Sequence, residues 1–384
     1  MENMERVGRM FLYLIVLLKN QNKRDMRIIL MYIYFLMCVV CQLMAGNDVP
    51  ESDISFKGIV EIKGTPISFN YRYQPVTQEV GIVFHNGFLI YKNSNEPLHV
   101  LDVREKKVFA ELGAWGDYPA KFFNPHICLP KSDSILCYIE DGGFIYNVYN
   151  NGEVEKTKQR SYSWNHEMGG NRVAIIKNFV DMTEGVWLFA GKSSKGQSLY
   201  ITENKGKESE TSELLPLFLD TDIADWSLYL GNLVARKDRK KAVYAYTYYN
   251  RLQFIDLEKK TSHIVKQPGK GYDYNTLNQA DVDQLNLLYY RYCYPGEKYV
   301  YFLNLGGRFF KEVQKDNKNG DTYVYIEQFD WEGNPIRKMK LDKFGYFFCV
   351  DEENGKLYLV EKKEKGSPFY EYDIFSGGGV DKDD

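Results

Sequence analysis

The sequence has few of the residues that mark disordered, nucleic-acid-binding or thiolate-metal proteins. Only 12 of its 384 residues are proline, whereas 15% are aromatic, and this composition excludes a disordered chain. The formal net charge of −3 argues against a surface that binds polyanions, so no nucleic-acid partner is expected. No Cys-x-x-Cys pair occurs after residue 45, which leaves a thiolate zinc site or a redox motif without support.

The common catalytic and metal motifs are incomplete as well. His166-Glu167-Met168-Gly169-Gly170 lacks the second histidine of a zinc-binding helix, and Asp220-Thr221-Asp222 lacks the glycine and the distal glutamate of an EF-hand loop. The sequence therefore assigns no catalytic residue, no metal site and no cofactor. A Ser-His-Asp triad or a pair of sugar-cleaving carboxylates stays open, because the members of such sites need not be adjacent in sequence.

A short sequence motif recurs along the chain and predicts the fold. Each copy is an apolar strand that ends in Asp or Asn at a polar turn, and the copies end at Asp102, Asn150, Asp256, Asp330 and Asp373. Adjacent copies lie 43 or 48 residues apart, and the longer gaps contain a degenerate copy or an insertion. A four-stranded unit repeated at this interval is typical of a β-propeller. The repeated Asp is predicted to accept hydrogen bonds from nearby backbone N–H groups and close its turn, a structural role and not a catalytic one.

The strand pattern predicts five four-stranded units and a last unit that has only three strands. The orphan strand Phe56–Ile62 is expected to complete this last unit and close the ring through main-chain hydrogen bonds. The predicted fold is thus all-β: a six-bladed β-propeller of four-stranded antiparallel blades over residues 56–375. Residues 46–55 are expected to form a linker, and residues 376–384 a flexible tail.

The N-terminal residues 1–45 have the pattern of an export signal preceded by a start-site extension. Met26-Arg27 precedes the apolar run Ile28–Ala45, and a small residue at position 45 or 46 is the expected cleavage edge. Met26 is interpreted as the true start, and residues 1–25 as the extension. The alternative is a signal anchor that remains uncleaved.

Lipidation of the N-terminus is a second alternative. Cys38 and Cys41 lie late in the apolar run, where a lipoprotein signal places its cysteine, although Met37 and Val40 are larger than the residue expected before it. The protein is therefore expected to be exported, either periplasmic or associated with the outer membrane. Contact with the membrane is expected only through the signal or a lipid.

Four cysteines follow the signal, and two interpretations of them remain open. Cys128 and Cys137 flank a hairpin turn and could form a disulfide across two strands in an exported protein. The alternative is four buried thiols in apolar strands, namely Cys128, Cys137, Cys293 and Cys349.

The six units and their strand–Asp–turn motif resemble the TolB-like six-bladed propellers of Gram-negative envelopes. The segments Ala242–Lys260 and Tyr323–Leu341 carry this resemblance most clearly, and it extends over residues 56–375. The resemblance implies an exported propeller, often anchored to a membrane, in a family whose members are mostly without known activity. It transfers no catalytic residue to this chain.

Aromatic residues concentrate in the predicted connections between blades, which a closed ring brings to one face. Exposed Trp and Tyr beside amides suit sugar rings or peptide side chains, although the same aromatics could fill the spaces between blades. The insertion Gly306–Asp321 is a second candidate for a partner site, or else a solvated hairpin extension. The predicted ligand-binding residues are Trp115, Tyr118, Trp164, His166, Trp226, Tyr272 and Tyr274.

These patterns favour a monomeric, exported, non-catalytic propeller that binds a protein or a carbohydrate at the cell envelope. One alternative is a carbohydrate-active enzyme with its site at the mouth of the channel. The other is a structural scaffold of an envelope complex. Buried carboxylates or histidines with perturbed pKa values at the channel mouth would favour the enzyme.

Overall fold

Short strands dominate the described part of the chain, where the only helix is α1 (Phe310–Asn319). The computed structural model describes residues 49–73, 75–76, 80–93, 97–112, 126–128, 135–141, 144–149, 151, 153–156, 165–168, 171–183, 186–193, 196–205, 208–217, 230–267, 287–319, 323–361 and 366–375. Apart from Val49, these residues belong to one compact unit, Pro50–Asp384. No described helix is long and apolar enough to cross a membrane.

Three short strands come first and are followed by the strands of six sheets, numbered in chain order. The first three are β1 (Glu51–Asp53), β2 (Ile59–Ile62) and β3 (Thr65–Ile67). Sheet one contains β4 (Val80–His85), β5 (Phe88–Asn93), β6 (Leu98–Asp102) and β7 (Lys107–Leu112). Sheet two contains β8 (His126–Cys128), β9 (Ile135–Asp141), β10 (Phe144–Tyr149) and β11 (Val154–Lys156). Sheet three contains β12 (Asn165–Met168), β13 (Asn171–Thr183), β14 (Val186–Ser193), β15 (Gly196–Lys205) and β16 (Glu208–Pro216).

The remaining three sheets follow the same antiparallel order. Sheet four contains β17 (Gly231–Ala235), β18 (Lys241–Tyr246), β19 (Arg251–Asp256) and β20 (Thr261–Lys266). Sheet five contains β21 (Leu287–Pro295), β22 (Tyr299–Phe309), β23 (Val324–Asp330) and β24 (Pro335–Leu341). Sheet six contains β25 (Gly345–Asp351), β26 (Lys356–Glu361) and β27 (Phe369–Asp373). Most of the predicted strand positions are confirmed, but β12 of sheet three lies where a connection between blades was expected.

The three N-terminal strands join the outer edges of three successive sheets. β1 pairs parallel with β20 of sheet four, β2 pairs parallel with β24 of sheet five, and β3 pairs antiparallel with β27 of sheet six. The prediction that Phe56–Ile62 completes the last sheet is therefore wrong, because Thr65–Ile67 takes that place. The expectation of four strands per sheet holds only in part, since sheets three, four and five each contain five.

The chain passes from β2 to β3 at Gly64, where a side chain would not fit. A Cβ atom on Gly64 would lie 2.5 Å from the ring of Tyr372. The backbone N–H of Gly64 donates to Asp342 Oδ1 at 2.9 Å, and the Tyr372 hydroxyl lies 3.1 Å from the same oxygen. These contacts direct the chain from sheet five to sheet six within two residues.

The hydrophobic core lies between neighbouring sheets, so that both faces of most strands are buried. In β5, the consecutive residues Leu89 and Ile90 are both fully buried, which requires cover on both faces of the sheet. The first strands of neighbouring sheets also touch one another, since β4 contacts both β8 and β25, and β21 contacts both β17 and β25. Apolar clusters join sheets one with two (Val83, Ile127), three with four (Leu188, Tyr244), four with five (Phe254, Phe302), and five with six and one (Leu303, Phe348, Leu89).

The repeated Asp closes a turn wherever it ends the third strand of a sheet. The Glu105 N–H donates to Asp102 Oδ1, and the Lys259 N–H donates to Asp256 Oδ1, both at 2.9 Å. Asp330 Oδ1 accepts from two backbone N–H groups of its turn, and Asp373 Oδ1 accepts from the N–H two residues on. The bond from the Lys259 N–H, with a contribution from Lys241, holds the pKa of Asp256 well below its usual range. The predicted turn-forming role of the repeated Asp is confirmed.

A disulfide between Cys128 and Cys137 stays an open interpretation, because the structure describes their strands but not their side chains. The register of sheet two places Cys128 opposite Tyr138, so that Cys128 and Cys137 are not opposite each other. Cys293 and Cys349 are buried thiols, as the buried-thiol interpretation predicted for them. Burial raises the pKa of the Cys349 thiol well above its ordinary value, which makes this thiol unreactive at neutral pH.

Candidate functional site

The predicted ligand-binding residues are mostly outside the part of the chain that the structure describes. His166 lies inside strand β12, opposite Val173 of β13, and not in a connecting loop. The proposed common face for these residues stays a prediction, as does lipidation at Cys38 or Cys41. The residues outside the described ranges are Trp115, Tyr118, Trp164, Trp226, Tyr272, Tyr274, Cys38 and Cys41.

The insertion predicted at Gly306–Asp321 is not a simple extension of a hairpin. Strand β22 continues to Phe309, and α1 then covers ten residues. Val313 anchors this helix in the core at 1% exposure, while Lys311 and Lys315 are exposed. The backbone N–H of Phe309 donates to Glu312 Oε2 at 3.0 Å, which caps the first turn of the helix.

A double glycine allows the chain to turn into this helix. Gly306 and Gly307 have φ angles of +76° and +66°, a conformation that favours glycine. A Cβ atom on Gly307 would lie 2.7 Å from the ring of Tyr289. The sharp bend at the end of β22 thus depends on these two residues.

Arg308 fastens the base of the helix to strand β23. Its Nε donates to the Leu305 carbonyl at 2.8 Å, and its Nη2 donates to the Tyr323 carbonyl at 2.9 Å. Its guanidinium carbon lies 4.2 Å from the centre of the Tyr323 ring, and its Nη1 lies 3.4 Å from Asp316 on α1. These contacts fix the helix, in which Val313 is the one buried side chain among those that the structure describes.

The helix lies at the end of sheets four and five where one sheet connects to the next. Leu287, the first residue of β21, is opposite Phe309 immediately before α1. The last strand of sheet four ends at Lys266, and Gln267 then reaches sheet five by a hydrogen bond. We call this end of the two sheets, with Gln267, Leu287 and α1, the connection end.

A fully buried carboxylate lies between sheets four and five near the connection end. Glu327 on β23 has 0% exposure. Its Oε1 accepts from Lys338 Nζ at 2.7 Å and from Asn304 Nδ2 at 2.9 Å. Its Oε2 accepts from Gln267 Nε2 at 2.5 Å. The Tyr290 hydroxyl lies 3.2 Å from this oxygen and can supply a fourth donor.

The strand register explains why these groups meet. Glu327 is opposite Lys338 on β24, so both side chains lie on the same face of sheet five. Lys338 Nζ also lies 4.9 Å from the centre of the Tyr325 ring and 5.7 Å from that of Phe56. This face of sheet five turns towards Gln267 of sheet four, which closes the cluster.

The chemistry of this cluster is that of a structural ion pair. A carboxylate offers about four lone-pair sites, and the cluster provides four donors for Glu327. Burial and the neighbouring Glu327 raise the pKa of Tyr290 well above its ordinary value, so Tyr290 stays protonated and a donor. Glu327 has neither solvent access nor a spare lone pair, and it is not suited to act as a general base.

Sequence reasoning missed this cluster, although one signal pointed to it. Glu327 interrupts the apolar strand Val324–Asp330, and a carboxylate in such a strand requires a buried cation or several donors. The partners come from four other strands or turns, so sequence spacing alone could not name them.

Comparison with known proteins supports the propeller class. Residues 233–353 match the TolB-like 6-blade propeller-like family, and these residues include both segments on which the resemblance rested, Ala242–Lys260 and Tyr323–Leu341. The chain is therefore similar to TolB-like β-propellers, as predicted. No curated protein sequence matches the chain.

Solved structures of low sequence identity are similar to this chain over most of its length. A member of the DUF4221 family from Bacteroides vulgatus has 9% identity and a TM-score of 0.49, covering 82% of this chain and 98% of its own. An exported protein from Bacteroides fragilis, so described provisionally, has 10% identity and a TM-score of 0.46, covering 84% and 98%. The calcium-binding protein regucalcin from Agrobacterium tumefaciens has 14% identity and a TM-score of 0.42, covering 83% and 95%.

Proposed function

We propose that the protein is an exported, non-catalytic six-bladed β-propeller that binds a protein or carbohydrate partner at the cell envelope. Its partner surface is the connection end, and α1 forms part of that surface. The export signal predicted over Met26–Ala45 supports the location. The protein acts as a binding module, periplasmic or associated with the outer membrane.

Closure of the six sheets into a ring is part of this proposal. Two observations support it: β3 adds an N-terminal strand to sheet six, and β25 of sheet six contacts β4 of sheet one. Main-chain pairing between the two ends of the chain protects strand edges that would otherwise be open. The hydroxyls of Tyr292 and Tyr294 on sheet five add hydrogen bonds to the Ile82 and Phe84 carbonyls of sheet one.

The single observation that carries the binding role is the construction of α1. A helix inserted between two strands of a blade is held by Val313, Arg308 and the Glu312 cap, and its exposed residues contribute little to the core. Loops and insertions held on a rigid scaffold are where binding residues concentrate. The buried carboxylate of Glu327 near this end is fully engaged by its donors, which favours binding over catalysis at this position.

The experiment is a binding screen of the protein from residue 46 against arrays of glycans and of envelope-protein peptides. Hits are measured by calorimetry with the double variant K311E/K315E on α1. The matched control is K259E/K298E, in turns at the opposite end of sheets four and five. We expect at least one ligand whose affinity falls tenfold or more in the α1 variant and less than twofold in the control. Absence of any ligand, or equal losses in both variants, refutes the proposal, and release of cleaved glycan establishes the enzyme alternative.

A further inference from the structure

A buried histidine lies where the N-terminal segment crosses from sheet six to sheet one. His99 on β6 is 3% exposed. Its ring stacks on Tyr71 with centroids 4.5 Å apart and an interplanar angle of 27°. Neither ring nitrogen has a hydrogen-bond partner among the described residues, and Glu111 of β7 places its Oε1 3.5 Å from Nδ1.

The segment after β3 packs on both sheets around this histidine. Phe69 is buried and meets Phe369 of sheet six edge to face at 5.4 Å. Tyr71 lies 4.3 Å from Tyr73, whose hydroxyl donates to the Phe69 carbonyl at 2.9 Å. The stack of Tyr71 on His99 thus ties this folded segment to sheet one, together with the packing of Phe69 beside Leu89 and Tyr91.

We propose that Tyr71, His99 and Glu111 form a pH-sensitive clasp, which holds residues 65–73 against sheets one and six at neutral pH and releases them in acid. The neutral imidazole stacks on the tyrosine without a hydrogen-bond partner. Protonation places a cation where water is excluded, and its desolvation outweighs the attraction of the Tyr71 ring for a cation. Release of residues 65–73 removes β3 from sheet six, so the clasp controls whether that sheet keeps its fourth strand.

The charged and titratable groups around His99 decide whether the closed state favours or opposes protonation of the imidazole. Glu111 on β7 favours the imidazolium, but its side chain is 53% exposed, so solvent weakens its effect. Lys92 on β5 opposes the imidazolium. The aromatic rings packed nearby carry no charge; they are Tyr71 and Tyr73 on the N-terminal segment, Tyr91 on β5 and Phe369 on β27. Burial is the largest cause and lowers the pKa of His99 below its ordinary value of 6.5, Glu111 opposes this, and Lys92 adds to it.

The pH dependence follows from which state binds the proton. In the open state His99 meets water and titrates near 6.5, whereas the closed state holds it neutral to lower pH. Opening therefore increases as the pH falls below 6.5, by up to tenfold per pH unit for one proton, until the pH reaches the pKa of the closed state.

The test is amide hydrogen exchange of the protein from residue 46 at three pH values around the ordinary histidine pKa, with rates corrected for the intrinsic effect of pH. We expect the protection of residues 65–73 to fall by up to tenfold per pH unit on acidification, while that of Arg251–Asp256 in β19 changes less than twofold. H99F keeps a stacking ring and should abolish the pH dependence of this protection. H263F, which removes a histidine stacked on Phe254 of sheet four, should leave it intact.

Two results overturn the clasp. One is protection of residues 65–73 that does not change with pH in the wild-type protein, or that changes equally in H99F. The other needs no variant: NMR titration of the wild-type histidines must place the His99 pKa below 6.5, and a value at or above it refutes the mechanism.

Discussion

The ion pair between Glu327 and Lys338 predicts an unequal response to loss of its two partners. Glu327 is 0% exposed and cannot reach water, whereas the Lys338 side chain is 17% exposed and can turn its ammonium group outward. K338M leaves a carboxylate buried without its cation, and we expect it to lower the free energy of unfolding by about 3–5 kcal/mol. E327Q keeps the shape and some of the hydrogen bonds, and we expect a smaller loss of about 1–3 kcal/mol.

The double variant E327L/K338M removes the charged pair altogether. We expect it to recover much of the loss in K338M, because no buried charge remains, although Asn304 and Gln267 lose an acceptor. Urea unfolding at neutral pH, followed by fluorescence, measures all three variants. K340M is the matched control, since Lys340 lies two residues along the same strand and pairs with the exposed Glu61; its unfolding midpoint should barely change. A K338M loss that is smaller than that of E327Q, or equal to that of K340M, refutes the reasoning.

Four further predictions concern the turns, Glu352 and the N-terminal strands. Lys260 has a φ angle of +55°, so K260G should raise the free energy of unfolding by about 0.5–1 kcal/mol in urea titrations. A Cβ atom on Gly296 would lie 2.2 Å from Glu352 Oε1, and the two oxygens of this carboxylate accept from the backbone N–H groups of Glu297, Lys298 and Tyr299; G296A should therefore cost about 1–3 kcal/mol in the same assay. Burial raises the pKa of Glu352 above 4.5, so the native state binds this proton more tightly and stability falls as the pH rises through the raised pKa; E352Q should flatten that dependence in melting temperatures. Deletion of residues 50–62 removes β1 and β2 and should leave a monomer of lower stability, whereas deletion of residues 50–68 also removes β3 and should cause aggregation on size-exclusion chromatography.

Each of these has a control or an outcome that contradicts it. K259G, at the neighbouring position, should destabilise, and equal losses in K259G and K260G would refute the argument from φ. A G296A protein of wild-type stability would show that the Glu352 contacts are unimportant. A pH dependence that is unchanged in E352Q would assign it to another group. Identical behaviour of the two deletions would deny a special role for β3.

The local pattern of this sequence was sufficient to predict its strands and turns. Alternation of apolar residues and polar clusters located most strands of the six sheets, though not β12, because most of these strands are short and many are buried on both faces. The Asp that ends the third strand of a sheet was predicted to close its turn, and Asp102 and Asp256 do so with backbone N–H groups three residues on. These features depend on residues that are close in sequence, so composition and spacing decide them.

The candidate site was less accessible to sequence reasoning. The insertion was recognised as a departure from the repeat, but its helix was not, since two glycines and the polar residues that follow also suit a loop. The aromatic connections were noticed because they are rich in Trp and Tyr. Glu327 was not, because a single carboxylate in a strand does not reveal its donors in other strands and turns.

The sequence by itself thus determined the all-β class, the repeat of strands and the chemistry of the turns. The tertiary structure decided which edge each N-terminal strand joins. Ile59–Ile62 pairs in parallel with β24 of sheet five, and Thr65–Ile67 completes sheet six. It also decided that Glu327 meets Lys338, and that Tyr71 covers His99. The physical reason is that any free strand edge offers the same row of backbone donors and acceptors. The choice among such edges depends on the path of the whole chain and on side chains that are far apart in sequence.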